Sequence, residues 1–245
     1  MNTIRVGING ADGRMGRLVA HTVEHDAADM DLVLRTDVGD DLKARLHATP
    51  VDVVVDFTVP SVVFGNTMTI IESGARAVVG TTGLTADQVA AIDDAVGRAG
   101  TSAIIAPNFS LGAVLMMRLA REAAAFYRDC EIIELHHEKK VDAPSGTAKM
   151  TAREIAAAWR TEAGTQRNAD AGATQPSRGM DSDGIQVHSV RLPGKMAHQE
   201  VIFGGTGETL TIRHDALSRE CFAPGVLWAI RRVLEIEGLE VELAL

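Results

Sequence analysis

Aromatic side chains are scarce in this chain: six Phe, two Trp and one Tyr make up 4% of its 245 residues. Base-stacking platforms for single-stranded nucleic acid need more. Positive charge is scarce as well. Lys and Arg total 24 against 33 Asp and Glu, a net charge of −9. That balance argues against gripping nucleic acid or anionic lipid as the main task, while leaving room for a small basic pocket. The two cysteines, Cys130 and Cys221, form no CxxC and point to a reducing compartment. No apolar run approaches the roughly 20 residues of a membrane span. The opening stretch MNTIRVGINGADGRMG is broken by glycine where a signal peptide is continuous and apolar. A soluble cytoplasmic protein is expected, with no membrane or nucleic-acid partner.

Several chemistries are missing too. His137-Glu138 begins an HExxH zinc pattern, but position 141 is Val and no cysteine lies within ligand spacing, so no metal is expected. A Tyr-x-x-x-Lys dehydrogenase pair fails because the residue four beyond Tyr127 is Glu131. The GxSxG elbow of serine hydrolases is absent.

What is present is an ordinary globular balance, 46% hydrophobic and 23% charged, on a chain long enough to bury a sizeable core. Apolar runs at 4–8, 32–34, 51–57, 75–79 and 102–106 alternate with helical stretches at 14–25, 61–73 and 85–99. This order predicts a Rossmann-like, doubly wound parallel sheet. After Pro107-Asn108 the pattern changes. The spacing predicts a long amphipathic helix over 110–127, a strand over 131–136 and a helix over 146–159. The polar stretch 161–182 reads as a loop. Strands at 185–192, 198–203 and 208–214 follow, the last two joined by a turn at 204–207. A final helix over 219–236, with Ser218 as its N-cap, completes the chain. The class is α/β followed by an α+β half whose sheet is mixed or antiparallel.

The first turn reads Gly7-x-x-Gly10-x-x-Gly13-x-x-Gly16, between a strand and a helix. Glycine lets backbone approach a pyrophosphate, and the helix N-terminus offers unpaired N–H groups. A turn that binds nothing and a nucleoside-binding methyltransferase share the spacing. Asp37, just beyond the second strand, can bind the ribose hydroxyls of NAD or be a solvated loop carboxylate. Arg14 and Arg35 can instead pair with a 2′-phosphate. Gly80-Thr81-Thr82-Gly83 and Ala106-Pro107-Asn108-Phe109 fall at the carboxyl ends of parallel strands, where this architecture binds ligands.

The stretch from Glu134 to Ala148 is the densest in chemistry. His136 and His137 end a strand, Lys139 and Lys140 follow in a loop, and Pro144-Ser145-Gly146-Thr147 opens a helix. Such an N-terminus is an anion site, and histidine exchanges protons near neutral pH. A capped helix beside a solvated charge cluster is the bland alternative.

Together GxxGRMGR at 10–17, GTTG at 80–83, APNFS at 106–110 and ELHHxxKxDAPSGTA at 134–148 resemble the dihydrodipicolinate reductase family, the 4-hydroxy-tetrahydrodipicolinate reductases of bacterial lysine and diaminopimelate synthesis. HQEVIFG at 198–204 and GETLTIRHDA at 207–216 extend the resemblance over nearly the whole chain. It implies a small cyclic dicarboxylate substrate, NADH and/or NADPH as cofactor, and a homotetramer. It implies His136 as proton donor/acceptor, with Lys140 paired to it as proton donor. It implies His137, Ser145, Gly146 and Thr147 as substrate contacts. Gly10, Ala11, Asp12, Gly13, Arg14, Met15, Asp37, Gly80, Thr81, Thr82, Ala106, Pro107, Asn108 and Phe109 match cofactor contacts. A dinucleotide-binding domain over 1–107, completed by 217–245, would flank a substrate-binding and oligomerisation domain over 108–216. Asp37 favours NADH while Arg14 and Arg35 favour NADPH, so use of both is expected.

Overall fold

A computed structural model describes residues 3–161 and 176–243 and divides the chain into two compact units, 1–110 with 219–245, and 111–218. In the first unit β1 (Ile4–Asn9), α1 (Arg14–Asp26), β2 (Met30–Thr36), α2 (Leu42–Ala48), β3 (Val53–Asp56), α3 (Val63–Glu72), β4 (Arg76–Val79), α4 (Ala86–Ala99) and β5 (Ser102–Ile105) follow one another. The second unit contains α5 (Leu111–Ala123), β6 (Asp129–His136), α6 (Gly146–Thr161), β7 (Met180–Ser182), β8 (Ile185–Arg191), β9 (Ala197–Gly205) and β10 (Glu208–Ala216). The chain then returns to the first unit with α7 (Ala223–Arg232) and β11 (Gly238–Val241). Among the described residues no helix is long and apolar enough to cross a membrane.

The first unit's sheet is parallel throughout, in the order β11-β5-β4-β3-β1-β2. All four residues of β3 are buried, as expected for a strand covered on both faces. Val54, Val79 and Ile105 pack with Val63 and Ile70 of α3 and Ile92 and Val96 of α4. Helix starts are set locally: Thr85 accepts the Gln88 N–H at 3.2 Å while the Gln88 side chain accepts the Thr85 N–H at 2.9 Å. The chain passes from β1 to β2 on one side and places β3 on the other. The carboxyl ends of β1 and β3 are therefore the switch point where such sheets bind ligands.

The second sheet runs β10-β9-β6-β8-β7. Ile132, Ile185, Val187, Val201 and Phe203 pack on Ala148, Ala152, Ile155 and Trp159 of α6, and the Trp159 indole donates to the Tyr127 carbonyl at 2.9 Å.

The second sheet is mixed, one of the two forms expected: β6 and β8 pair in parallel, because α6 supplies the crossover such a pair requires. Other sequence expectations are corrected. The helix expected over 219–236 is a 3-10 turn, Arg219–Phe222, followed by α7. Phe222 rather than Ser218 stands at the N-cap of α7, whose first turn holds Pro224, a residue favoured there. α2 and β11 answer no sequence expectation. Within the stretch read as a loop over 161–182, Thr161 ends α6, Pro176–Arg178 is a 3-10 turn and Met180–Ser182 forms β7; residues 162–175 lie outside the described residues.

Candidate active site

The glycine-rich turn leaves β1 at Asn9 and enters α1 at Arg14. Gly10 has φ +83°, and a Cβ there would stand 2.5 Å from the Phe57 carbonyl oxygen. A Cβ on Gly16 would stand 2.1 Å from the Gly10 oxygen, so α1 lies directly on the turn. Gly13 is the N-cap of α1, with no capping side chain and no acidic residue in the first turn. Backbone N–H groups and the positive end of the helix dipole are thus left for an anion. This cradle fits the pyrophosphate of a dinucleotide. Ala11 is buried and Met15 half-buried, whereas Asp12, Gly13 and Arg14 are exposed.

Asp37 lies beside this turn. Its carboxylate accepts the Val38 N–H and the Asp12 N–H, both at 2.7 Å, and these bonds hold it below the usual carboxylate range. Arg35 is engaged elsewhere, pairing with Glu24 at 2.5 Å.

At the switch point sits a carboxylate that sequence reasoning missed. Asp56, fully buried at the end of β3, accepts five hydrogen bonds: from Asn9 (2.8 Å), Asn66 (3.1 Å), the Thr58 N–H (3.1 Å), the Thr58 hydroxyl (2.7 Å) and the Thr81 hydroxyl (2.9 Å). The ends of β1, β3 and β4 are bonded together through it. The Thr81 hydroxyl proton is used there, leaving its backbone for a ligand. Gly80 follows β4, and a Cβ on it would meet the Phe57 ring at 2.1 Å. That ring packs edge-on against Phe109 with centroids 5.6 Å apart. Thr82 and Pro107 are exposed, Ala106 is buried, and Asn108 accepts the Ser110 N–H at 2.9 Å.

In the second unit, register assembles the chemistry. Glu134 pairs across the sheet with Gln199 and Ser189, and His136 with Ala197 and Arg191. Glu134 is fully buried, on the same parity as Cys130 and Ile132. Its carboxylate accepts His136 Nδ1–H at 2.5 Å, Arg191 Nη1–H at 2.9 Å and Nη2–H at 2.8 Å, and the Ser145 N–H at 3.2 Å. Burial pushes this carboxyl up, but bonds from His136, Arg191 and Ser189 outweigh burial and hold it at about 2.

The Lys140 ammonium pairs with Asp142 at 2.7 Å and not with His136, whose bonded partner is Glu134. The resemblance implies that Lys140 works with His136 in proton transfer; the hydrogen bond its ammonium makes here closes within its own loop, on Asp142. His137 is half-buried, and its carbonyl accepts the Lys140 N–H at 3.1 Å. Ser145 caps α6, its Oγ accepting the Ala148 N–H at 3.1 Å. Gly146 is exposed with nothing within 4 Å of a Cβ position, and Thr147 is half-buried. A proton-carrying imidazole, an ammonium and a helix N-terminus therefore share one strand-loop-helix junction.

Sequence reasoning quoted Glu134 without giving it a role and passed over Arg191 and Asp56. Parity was the available signal for Glu134, a charge in step with the apolar residues of its strand. Nothing local marks Arg191.

The parallel sheet with its glycine-rich turn and the proton-bearing junction define a two-unit oxidoreductase with a nucleotide-binding fold. The family sequence models agree. "Dihydrodipicolinate reductase, N-terminus" matches residues 4–109, and "Dihydrodipicolinate reductase, C-terminus" matches residues 112–241. The chain belongs to the dihydrodipicolinate reductase family. It is 51% identical over 241 residues to the 4-hydroxy-tetrahydrodipicolinate reductase of Mycobacterium marinum, covering 97% of this chain and 96% of that one. The Coxiella burnetii (strain Dugway 5J108-111) protein of the same name is 49% identical over 238 residues, 96% of each chain. Among solved structures, dipicolinate-bound dihydrodipicolinate reductase from Paenisporosarcina sp. TG-14 superposes with TM-score 0.87 at 38% identity over 98% of both chains. An engineered D-amino acid dehydrogenase bound to NADP+ shares the fold, with TM-score 0.60 at 17% identity over 99% of this chain and 94% of that one.

Proposed function

We propose that this protein reduces 4-hydroxy-tetrahydrodipicolinate to tetrahydrodipicolinate in lysine and diaminopimelate synthesis, using NADH or NADPH. The observation that carries the reading is the junction of His136, Lys140 and the α6 N-terminus, a proton source beside an anion site. When bound, the dihydronicotinamide supplies the hydride. The groups Gly10 to Met15, Asp37, Gly80 to Thr82 and Ala106 to Phe109 hold the dinucleotide. Substrate carboxylate is met by Ser145, Gly146 and Thr147 at the positive end of α6, with His137 alongside. Lys140 and His136 stabilise the negative charge that grows on the ring-nitrogen side and return a proton to the reduced ring. Overall, substrate, NAD(P)H and one proton yield tetrahydrodipicolinate, NAD(P)+ and water.

The unit 1–110 with 219–245 is the dinucleotide-binding domain in this reading, and 111–218 binds substrate and forms a homotetramer. Half-exposed Ile133, Leu135, Val190 and Ile202, on the sheet face away from α5 and α6, support that assembly. A reducing, cytoplasmic setting accords with the two free cysteines. Asp37 supports NADH, and exposed Arg14 supports the extra phosphate of NADPH. The test is parallel measurement of NADH and NADPH oxidation with freshly generated substrate. Substrate-dependent oxidation of both is expected; oxidation of neither overturns the reading.

A further inference from the structure

We propose that Arg191 and Glu134 are the positioning pair of the reductase site, holding the His136 ring, the Lys140 loop and the first turn of α6 in one arrangement.

A guanidinium carries five N–H donors. All five of Arg191 are accounted for. Nε–H donates to the Lys140 carbonyl at 3.3 Å, Nη1 to Glu134 Oε2 at 2.9 Å and the Val190 carbonyl at 2.8 Å, and Nη2 to Glu134 Oε1 at 2.8 Å and the Asp142 carbonyl at 2.6 Å. A saturated guanidinium has no donor left for a substrate carboxylate. Arg191 therefore acts through what it holds, and two of its acceptors are main-chain carbonyls of the Lys140–Asp142 loop.

Glu134 extends the arrangement in the other direction. One oxygen is shared by Arg191 and the Ser145 N–H, fixing where α6 begins. The other is shared by Arg191 and His136 Nδ1. An ionised carboxylate only accepts, so Nδ1 keeps its proton and Nε2 is the nitrogen left to exchange one. Lysine at position 191 keeps the charge but offers three donors and no planar fork.

The inference rests on the proposed reductase activity for the reaction, but one of its readouts does not. In the intact wild-type chain, nitrogen NMR of the imidazoles, with His136→Gln used to assign the signal, should show His136 protonated on Nδ1. In Glu134→Gln that preference should weaken. For Arg191→Lys, kcat should fall about 10²-fold, the loss expected when a catalytic group is displaced by about 1 Å, while KM for the dinucleotide stays within about 2-fold. A wild-type His136 carrying its proton on Nε2 alone overturns the proposal, even if a variant fails to fold. So does an Arg191→Lys protein with wild-type kcat. An inactive wild-type protein counts against the reductase reading instead, and the nitrogen signals then still decide the pair.

Discussion

Asp37 Oδ2 accepts the Asp12 N–H at 2.7 Å, bonding the end of β2 to the turn that leaves β1. The carboxylate that would meet the ribose and the backbone that would meet the pyrophosphate are thus one connected piece. Replacing Asp37 with Ala should raise KM for NADH about 10-fold or more, the loss of hydrogen bonds to a charged acceptor. NADPH should suffer less. Steady-state assays with both nucleotides check this; equal loss for both would place Asp37 away from the ribose.

Gly16→Ala puts a methyl 2.1 Å from the Gly10 oxygen, where only backbone can give way. Dinucleotide affinity should fall more than about 10-fold, because the cradle must open to admit the methyl. Calorimetric titration of NADH into the variant measures it.

His136→Gln and Lys140→Ala should each lower kcat about 10²–10⁴-fold, as removal of a placed proton donor does. Dissociation constants for the dinucleotides should change far less than kcat, since neither residue belongs to the glycine-rich turn or the strand ends proposed to hold the nucleotide. Wild-type kcat in both variants would remove these residues from the chemistry.

Acid should destabilise the protein through Glu134. Its folded carboxyl sits at about 2, below the about 4.3 of an unfolded glutamate. Folding favours the ionised form, so the stabilisation is complete above the unfolded value and disappears as pH falls through the folded one. It amounts to about 3 kcal/mol. Urea midpoints measured from pH 5 downward should fall more steeply for wild type than for Glu134→Gln.

Much of this was legible in the sequence because composition and period agree with burial. The valine run of β3, the alternation of strand and helix to Ile105, and the three- and four-residue spacing of α5 each follow from where apolar side chains must go. α2 has only Leu46 buried and starts on the Asp41 side chain, which accepts the Ala44 N–H at 3.0 Å. β11 is an edge strand with one neighbour and no buried residue. Neither leaves a period to read. The junction around His136 was legible as a motif because its residues are contiguous. Arg191 lies 57 residues from Glu134 along the chain and joins it only through the parallel register of β6 and β8. Pairing of that kind is a property of topology, which local pattern does not carry.

The position of β11 has a consequence for biosynthesis. Its partner β5 ends at Ile105, and the whole second unit is made before residues 238–241 emerge. While the ribosome is still adding those residues, the nucleotide sheet has an open edge at β5. The second unit can complete its own sheet first, so the parallel sheet, whose first strand is made earliest, is the later of the two to be finished.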